Sequence, residues 1–154
     1  MTYHCELINQ PARTTLSIRL RSAVKDLPEV LPRAYRTIGD YLDAVGERPG
    51  GPPYAAYFNM DMNDLDIEAG VTIAGELPGE GPIRPGAIPS GRAAACVHVG
   101  PYDDLPKAYE ALGQWIAQEG LEPAGVAYEI YVDDPMEVPP ETLKTQIVMP
   151  LKAN

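Results

Sequence analysis

The spacing of apolar residues along the chain predicts two amphipathic helices. In residues 31–46, LPRAYRTIGDYLDAVG, apolar positions recur every three or four residues, and residues 105–120, LPKAYEALGQWIAQEG, show the same spacing. Gly46 and Gly120 follow the last apolar positions, where a left-handed residue commonly ends a helix. Apolar stretches of strand type lie at about 5–20, 54–60, 66–77, 91–99, 124–133 and 143–151. The pattern therefore predicts the order strand, helix, strand, strand, occurring twice.

Two segments of the chain are similar to each other at a fixed spacing. Residues 31–57 and 105–131 are identical at ten of 27 positions, whereas chance gives about two. The spacing of 74 residues is nearly half of the 154-residue chain, so two copies fill it. We therefore predict one domain over residues 1–154, built from a repeat of about 1–79 and a second repeat of about 80–154.

A duplicated β-α-β-β unit places its two copies around a pseudo-twofold axis. A cleft at that axis is the natural place to enclose a small ligand, so we expect a ligand cleft there. The segment from Leu77 to Gly91 is rich in proline and glycine, and we interpret it as a surface connection between the copies.

The strand after each helix has two faces that alternate along the sequence. Tyr54, Ala56 and Phe58 in the first copy, and Tyr128, Ile130 and Val132 in the second, form the face that we expect to pack under the helices. The opposite face consists of Ala55, Tyr57 and Asn59 in one copy and Glu129, Tyr131 and Asp133 in the other.

Glu129 is the main candidate for a functional residue. It lies in an apolar, aromatic strand at a position where the other copy has Ala55. A carboxylate beside aromatic rings attracts an organic cation through its charge and the ring quadrupole, or it exchanges a proton if burial raises its pKa. The alternative is a carboxylate on a solvated face of the sheet. Tyr131, on the same face, offers a ring and a hydroxyl group.

Four further residues are candidate ligand contacts. Tyr57 is the counterpart of Tyr131, and Glu68 in the following strand is a second acid, although its segment DIEAG is equally typical of an exposed edge. Trp115 presents a large ring on the inner face of its helix, where it either packs in the core or forms the wall of a cavity. His98 lies at a strand end, where a structural or exposed role is the alternative.

Composition and charge narrow the classes of function. Lys and Arg total 12 and Asp and Glu total 22, which gives a net charge of −10 and disfavours direct nucleic-acid binding. Cys5 and Cys96 stand singly, without metal-type spacing, so we expect no metal site, no disulfide framework and a reducing compartment. The N-terminal residues MTYHCELINQ do not resemble a signal peptide, and no stretch is long enough to span a bilayer. We expect a cytoplasmic protein that requires no cofactor.

The segment from His98 to Pro135 closely resembles the signature of GyrI-like proteins. This family also supplies the effector-binding domains of multidrug-sensing transcription regulators. Four elements carry the resemblance: the motif HxGPY at 98–102, the helix with Trp115, the turn from Pro123 to Gly125, and EIY followed by DDP at 129–135. The duplicated plan extends the resemblance to essentially the whole chain.

The resemblance implies an α+β fold in which an antiparallel sheet carries two helices on one face, with a ligand cleft between the copies. In the multidrug-sensing relatives, aromatic residues surround a buried Glu that accepts lipophilic cations, and Glu129 occupies the matching motif position. Some stand-alone relatives hydrolyse strained cyclopropanoid alkylating agents with a Glu of this kind. The family name comes from members that inhibit DNA gyrase. We find no helix-turn-helix segment in the sequence, so we do not expect direct control of transcription unless a partner binds DNA.

Three classes of function follow. The first is a binding module for lipophilic, cationic or electrophilic small molecules. The second is a cofactor-independent hydrolase in which Glu129 is the general base and Tyr131 assists. The third is a factor that presents its acidic surface to a protein partner such as gyrase. The difference between Glu129 and Ala55 favours a pocket, but the same carboxylate suits both binding and catalysis.

Overall fold

The computed structural model describes residues 3–152 and contains two α-helices and eight β-strands within that range. The helices are α1 (Leu27–Val45) and α2 (Leu105–Gln118). The strands are β1 (Glu6–Gln10), β2 (Arg13–Ser22), β3 (Tyr54–Tyr57), β4 (Leu65–Thr72), β5 (Ile83–Ile88), β6 (Gly91–Val99), β7 (Ala127–Tyr131) and β8 (Lys144–Pro150). The prediction of an α+β fold with antiparallel strands and two helices is confirmed.

The chain divides into two compact units, each with one helix and four strands. The first unit is Pro11–Ser90, and the second consists of residues 3–10 and 91–152. These bounds differ from repeats at about 1–79 and 80–154, because β1 pairs with β6 and therefore belongs with the C-terminal half.

In the first unit the strand order is β3-β4-β2-β5, and every pairing is antiparallel. Helix α1 packs against β2 and β4. The core beneath it includes Leu16, Ile38, Leu42 and Ala69, which are almost completely buried. This cluster buries the apolar face of α1, which the spacing of the apolar residues in the sequence predicts.

In the second unit the strand order is β1-β6-β8-β7, again antiparallel. Helix α2 packs against β6. Its core includes Cys96, Ala108, Leu112 and Ile147. Each unit therefore buries one face of its own sheet beneath its own helix.

The predicted strand at about 5–20 is wrong, because the structure has two strands there. The break falls at Pro11, which lacks the backbone N–H needed to continue a ladder. The two strands then take different partners, since β1 pairs with β6 whereas β2 pairs with β4 and β5.

The segment from Leu77 to Gly91 is more than the predicted surface connection, because it contains β5. Ile83 and Ile88 at the two ends of β5 are 4% exposed. The strand carries Pro85 yet pairs with β2, which is possible because β5 lies at the edge of the unit and needs a partner on one side only.

Helix α1 begins at Leu27, four residues before the predicted start. Pro28 occupies the first turn, where its missing N–H costs nothing, and Pro32 lies inside the helix. The predicted stop is confirmed: Gly46 is left-handed with a φ of 74°, and the Glu47 amide donates to the Leu42 carbonyl.

No helix within residues 3–152 is both long and apolar enough to cross a lipid bilayer.

Candidate functional site

The strand β7 places Glu129 on the face of the sheet that packs against α2. Glu129 pairs with Ile147 of β8, and Ile147 pairs on its other side with Cys96 of β6. Directly paired residues share a face, and Ile147 and Cys96 both pack in the cluster beneath α2. The prediction that Tyr128, Ile130 and Val132 pack under the helix is therefore wrong. It is also wrong for Tyr54, Ala56 and Phe58, because Ala55 on the opposite face pairs with Ala69, which packs in the cluster beneath α1. Alternation separates the two faces of a strand, but the pairing register decides which one meets the helix.

Glu129 is a buried carboxylate whose two oxygens both accept hydrogen bonds from phenols. Its exposed fraction is 7%. The Tyr109 hydroxyl of α2 donates to Oε2 at 2.5 Å, and the Tyr131 hydroxyl donates to Oε1 at 2.9 Å. Bonds from O–H donors to a carboxylate are among the stronger hydrogen bonds in proteins. The arrangement orients the carboxylate in an aromatic environment, which argues against the alternative of a solvated face.

A third tyrosine, Tyr102, lies beside this pair. Its ring meets the Tyr131 ring edge-on, with 5.8 Å between the ring centres. Burial raises the pKa of Tyr102, and the negative charges of Glu129, Asp134 and Asp133 raise it further. The phenol therefore keeps its proton near neutral pH and remains a hydrogen-bond donor. We call Glu129, Tyr102, Tyr109 and Tyr131 the carboxylate cluster.

His98 lies in the same unit as the carboxylate cluster, but its hydrogen-bond partners are residues outside that cluster. It is 1% exposed, and its Nε2 lies 2.9 Å from the Pro101 carbonyl oxygen. Because a carbonyl only accepts, Nε2 carries a proton and donates, and Nδ1 lies 3.0 Å from the Tyr3 hydroxyl oxygen. His98 and Tyr131 both pair with Thr145, so two strand spacings, about 10 Å, separate their backbones.

Trp115 is half-buried and packs against the hydrophobic cluster beneath α2. The partly buried side chains that pack there with it include Cys5, Leu121 and Met149. Of the two alternatives for Trp115, this placement corresponds to packing in the core and not to forming the wall of a cavity.

Glu68 and Tyr57 belong to the first unit. The Tyr54 hydroxyl donates to Glu68 Oε2 at 2.8 Å, and Tyr54 itself is 1% exposed. Glu68 therefore also accepts a bond from a buried phenol, and Arg19 lies opposite it on β2. Tyr57 is half-buried and pairs with Ile67.

The two units carry their acids on different strands. Glu129 is on β7, and its structural counterpart on β3 is Ala55. Glu68 is on β4, and its counterpart on β8 is Gln146, since these residues pair with Ala56 and Ile130 at matching positions. The acidic groups are therefore not duplicates of one another.

Tyr109 and Tyr102 are cluster members that the sequence analysis did not single out. Tyr109 lies at helical spacing with apolar residues, a pattern that is typical of a core position. The available sequence signal was that both copies have a tyrosine at this position, Tyr35 and Tyr109. In the structure Tyr35 also uses its hydroxyl, which donates to the Tyr54 carbonyl at 2.6 Å.

Within residues 3–152, no group of three or more His, Cys, Asp or Glu side chains is arranged to hold a metal ion.

Comparison with family models identifies the relationship suggested by the HxGPY and EIY motifs. Residues 4–152 match the model of the GyrI-like small molecule binding domain. The chain belongs to the GyrI-like family. The predicted family is thereby confirmed, and the GyrI-like domain is a small-molecule-binding domain. No functionally curated protein matches the chain in sequence.

Solved structures share the GyrI-like fold at low sequence identity. The C-terminal domain of EcmrR superposes with a TM-score of 0.81 at 22% identity, covering 100% of both chains. An EcmrR–DNA complex gives 0.86 at 22% identity, covering 99% of this chain and 58% of that one. This chain therefore spans little more than half of the length of the EcmrR chain in that complex.

Two further structures extend the comparison. A hydrolase from Listeria innocua has a TM-score of 0.73 at 17% identity, covering 96% of this chain and 91% of that one. SAV2435 bound to tetraphenylphosphonium gives 0.70 at 16% identity, covering 99% and 95%. At these identities, the likeness concerns the fold alone.

Proposed function

We propose that this GyrI-like domain binds lipophilic organic cations, with Glu129 as the anionic anchor and the rings of Tyr102, Tyr109 and Tyr131 as the surrounding surface. The observation that carries the proposal is the burial of Glu129 among phenols. A 7% exposed carboxylate has lost most of its hydration, so an apolar cation gains more from it than from a surface acid.

The tyrosines support the proposal in two ways. The hydroxyls of Tyr109 and Tyr131 hold the carboxylate in one orientation, which lowers the entropy lost on binding. The ring faces are also attractive to cations. Tyr102 is 37% exposed, so part of its ring remains available to a ligand. The tetraphenylphosphonium bound to SAV2435 is a ligand of this chemical class.

The test compares two probes of the same shape and opposite charge. Isothermal titration calorimetry measures the affinities of tetraphenylphosphonium and tetraphenylborate for the wild-type domain and for Glu129→Gln. Loss of a desolvated charge interaction is worth about 1–3 kcal/mol, so the cation should bind Glu129→Gln about 5- to 150-fold more weakly. The anion should bind the wild type weakly and should gain affinity in the variant.

Glu119→Gln is the matched control, because Glu119 is exposed and its replacement changes the net charge equally. It should leave both affinities within about twofold of wild type, since long-range effects of surface charge are screened. Equal affinity of the wild type for both probes, or an equal loss in the two variants, would reject Glu129 as the anchor.

A second candidate function is hydrolysis of a strained cyclopropanoid electrophile. The observation that favours it is the pairing of Glu129 with Tyr131, which places a proton acceptor beside a proton donor at 2.9 Å. Glu129 accepts a proton from water as the water oxygen bonds to a ring carbon. The ring C–C bond breaks, and the carbon that receives its electron pair takes a proton from Tyr131. Glu129 then passes the proton that it took from water to the Tyr131 phenolate, which restores both residues.

Product formation from a cyclopropanoid alkylating agent tests this second function. General-base catalysis contributes about 10²–10⁴-fold, so Glu129→Gln should lower turnover by that factor. Equal turnover by wild type and variant would limit Glu129 to binding, and no acceleration over buffer would leave only the binding function.

A further inference from the structure

The structure brings together two cysteines that are far apart in the sequence. Strand β1 pairs with β6 in antiparallel register, with Glu6 opposite Ala95. Cys5, the residue before β1, therefore falls opposite Cys96 when the register is extended by one position. Both side chains pack in the hydrophobic cluster beneath α2, so they point to the same side of the sheet.

The spacing of such a pair suits a covalent link. Residues directly opposite each other in an antiparallel ladder have Cα atoms about 4.5 or 5.5 Å apart. Disulfide-bonded cysteines have Cα separations of about 4.4–6.8 Å, so neither type of pair needs a large backbone movement. Both thiols are free in the structure.

The two thiols are also unequal in their environment. Cys96 is 3% exposed, whereas Cys5 is half-buried. Burial raises the pKa of the Cys96 thiol to about 12, and burial also raises the pKa of Cys5. A hydrogen bond between the thiols lowers the pKa of Cys5 and raises that of Cys96. Cys5 is thus the group that ionises and reaches a reagent first.

We propose that Cys5 and Cys96 are a redox-active pair that low-molecular-weight disulfides convert to an intramolecular disulfide, fastening β1 to β6. Nothing in the cation-binding function requires this reaction. It is a separate chemical property of the second unit.

The reaction proceeds in two balanced exchange steps. The Cys5 thiolate attacks one sulfur of the oxidant, forms a mixed disulfide and releases one small thiolate. The Cys96 thiol then loses its proton to solvent and attacks the Cys5 sulfur, which releases the second small thiolate. Two protein thiols are oxidised by the loss of two protons and two electrons, and one small-molecule disulfide is reduced to two thiols.

The expected consequence is a tighter attachment of β1. This strand lies at the edge of the second unit and has only β6 as a partner within it. Edge strands with one partner open more readily than central strands. A covalent link one residue before β1 should slow hydrogen exchange at the amides that β1 pairs with β6, and should leave α1 and β2 unchanged.

Oxidised glutathione at mildly alkaline pH is the test reagent. The wild-type chain should lose two hydrogens in intact-mass spectrometry, lose both free thiols in a thiol assay, and yield a Cys5–Cys96 cross-linked peptide on non-reducing digestion. Cys96→Ser should instead retain a glutathione adduct on Cys5, because the second step has no nucleophile. Cys5→Ser should react much more slowly, since Cys96 is buried.

Three results would overturn the proposal. These are a stable glutathione adduct on the wild type, an intermolecular dimer on non-reducing electrophoresis, and two free thiols after prolonged oxidation. If a serine variant fails to fold, peptide mapping of the wild type decides the question alone. If hydrogen exchange in β1 is unchanged after cross-linking, the disulfide does not hold β1 more tightly to β6, and that part of the proposal is refuted.

Discussion

Replacing Tyr109 by Phe removes one of the two phenols that hold Glu129. The ring and its packing on α2 remain, and only the oxygen that donates to Glu129 Oε2 at 2.5 Å is lost. The variant therefore isolates a single hydrogen bond to a buried carboxylate.

The magnitude follows from the charge and burial of the acceptor. Hydrogen bonds to charged groups contribute about 1.5–3 kcal/mol to stability, whereas neutral ones contribute about 0.5–1.5 kcal/mol. Because Glu129 is 7% exposed, water replaces the lost donor poorly. Tyr109→Phe should therefore lower the free energy of unfolding by about 2 kcal/mol in the wild type, and by about 1 kcal/mol where Gln replaces Glu129.

A double-mutant cycle measures this difference. Urea denaturation followed by circular dichroism gives the free energies of unfolding of the wild type, Tyr109→Phe, Glu129→Gln and the double variant. The expected coupling energy is about 1 kcal/mol. Tyr41→Phe is the matched control, since Tyr41 is a buried helical tyrosine in the other unit and its cost should be equal in both backgrounds. An equal cost of Tyr109→Phe in the two backgrounds would refute a charge-assisted bond to Glu129.

Two further predictions concern the first unit. A Cβ atom at Gly70 would lie 2.6 Å from the Tyr54 hydroxyl oxygen and 2.8 Å from the Leu16 carbonyl oxygen, so Gly70→Ala should destabilise the protein by about 1–3 kcal/mol; an unchanged melting temperature would contradict this. The Arg19 guanidinium beside Asp66 lowers the pKa of that carboxyl below its ordinary value of 3.8. The ion pair therefore stabilises the fold above that value and is lost as the pH falls through the lowered pKa. Because the pair is partly exposed, Asp66→Asn should cost about 0.5–1 kcal/mol near neutral pH, and the cost should fall as the pH is lowered below 3.8; urea titrations showing a pH-independent cost would oppose the assignment.

Several features of this protein are determined locally and can be predicted from the sequence. The spacing of Ala108, Leu112 and Ile116 requires a helix with one buried face, and α2 buries these residues. Gly46 marks the end of α1 because only glycine adopts its left-handed conformation without cost. The internal repeat and the motifs at 98–102 and 129–135 were sufficient to indicate the family and the α+β class.

Other features depend on which strands pair and in what register, and only the tertiary structure decided them. Alternation along β7 separates Glu129 from Tyr128 but does not say which side meets a helix, because both sides are buried. Because Glu129 pairs with Ile147, its side chain lies on the face that meets α2, where the Tyr109 hydroxyl donates to the carboxylate.

Pairing between distant strands also explains why β5 and the proximity of Cys5 to Cys96 could not be predicted from the sequence. Strand β5 gains its stability from pairing with β2, so its own composition, which includes Pro85, indicates a loop. Cys5 and Cys96 lie more than half the chain apart and become neighbours only because β1 crosses to β6. Local propensity determines the elements, whereas long-range hydrogen bonding and side-chain packing determine which residues meet.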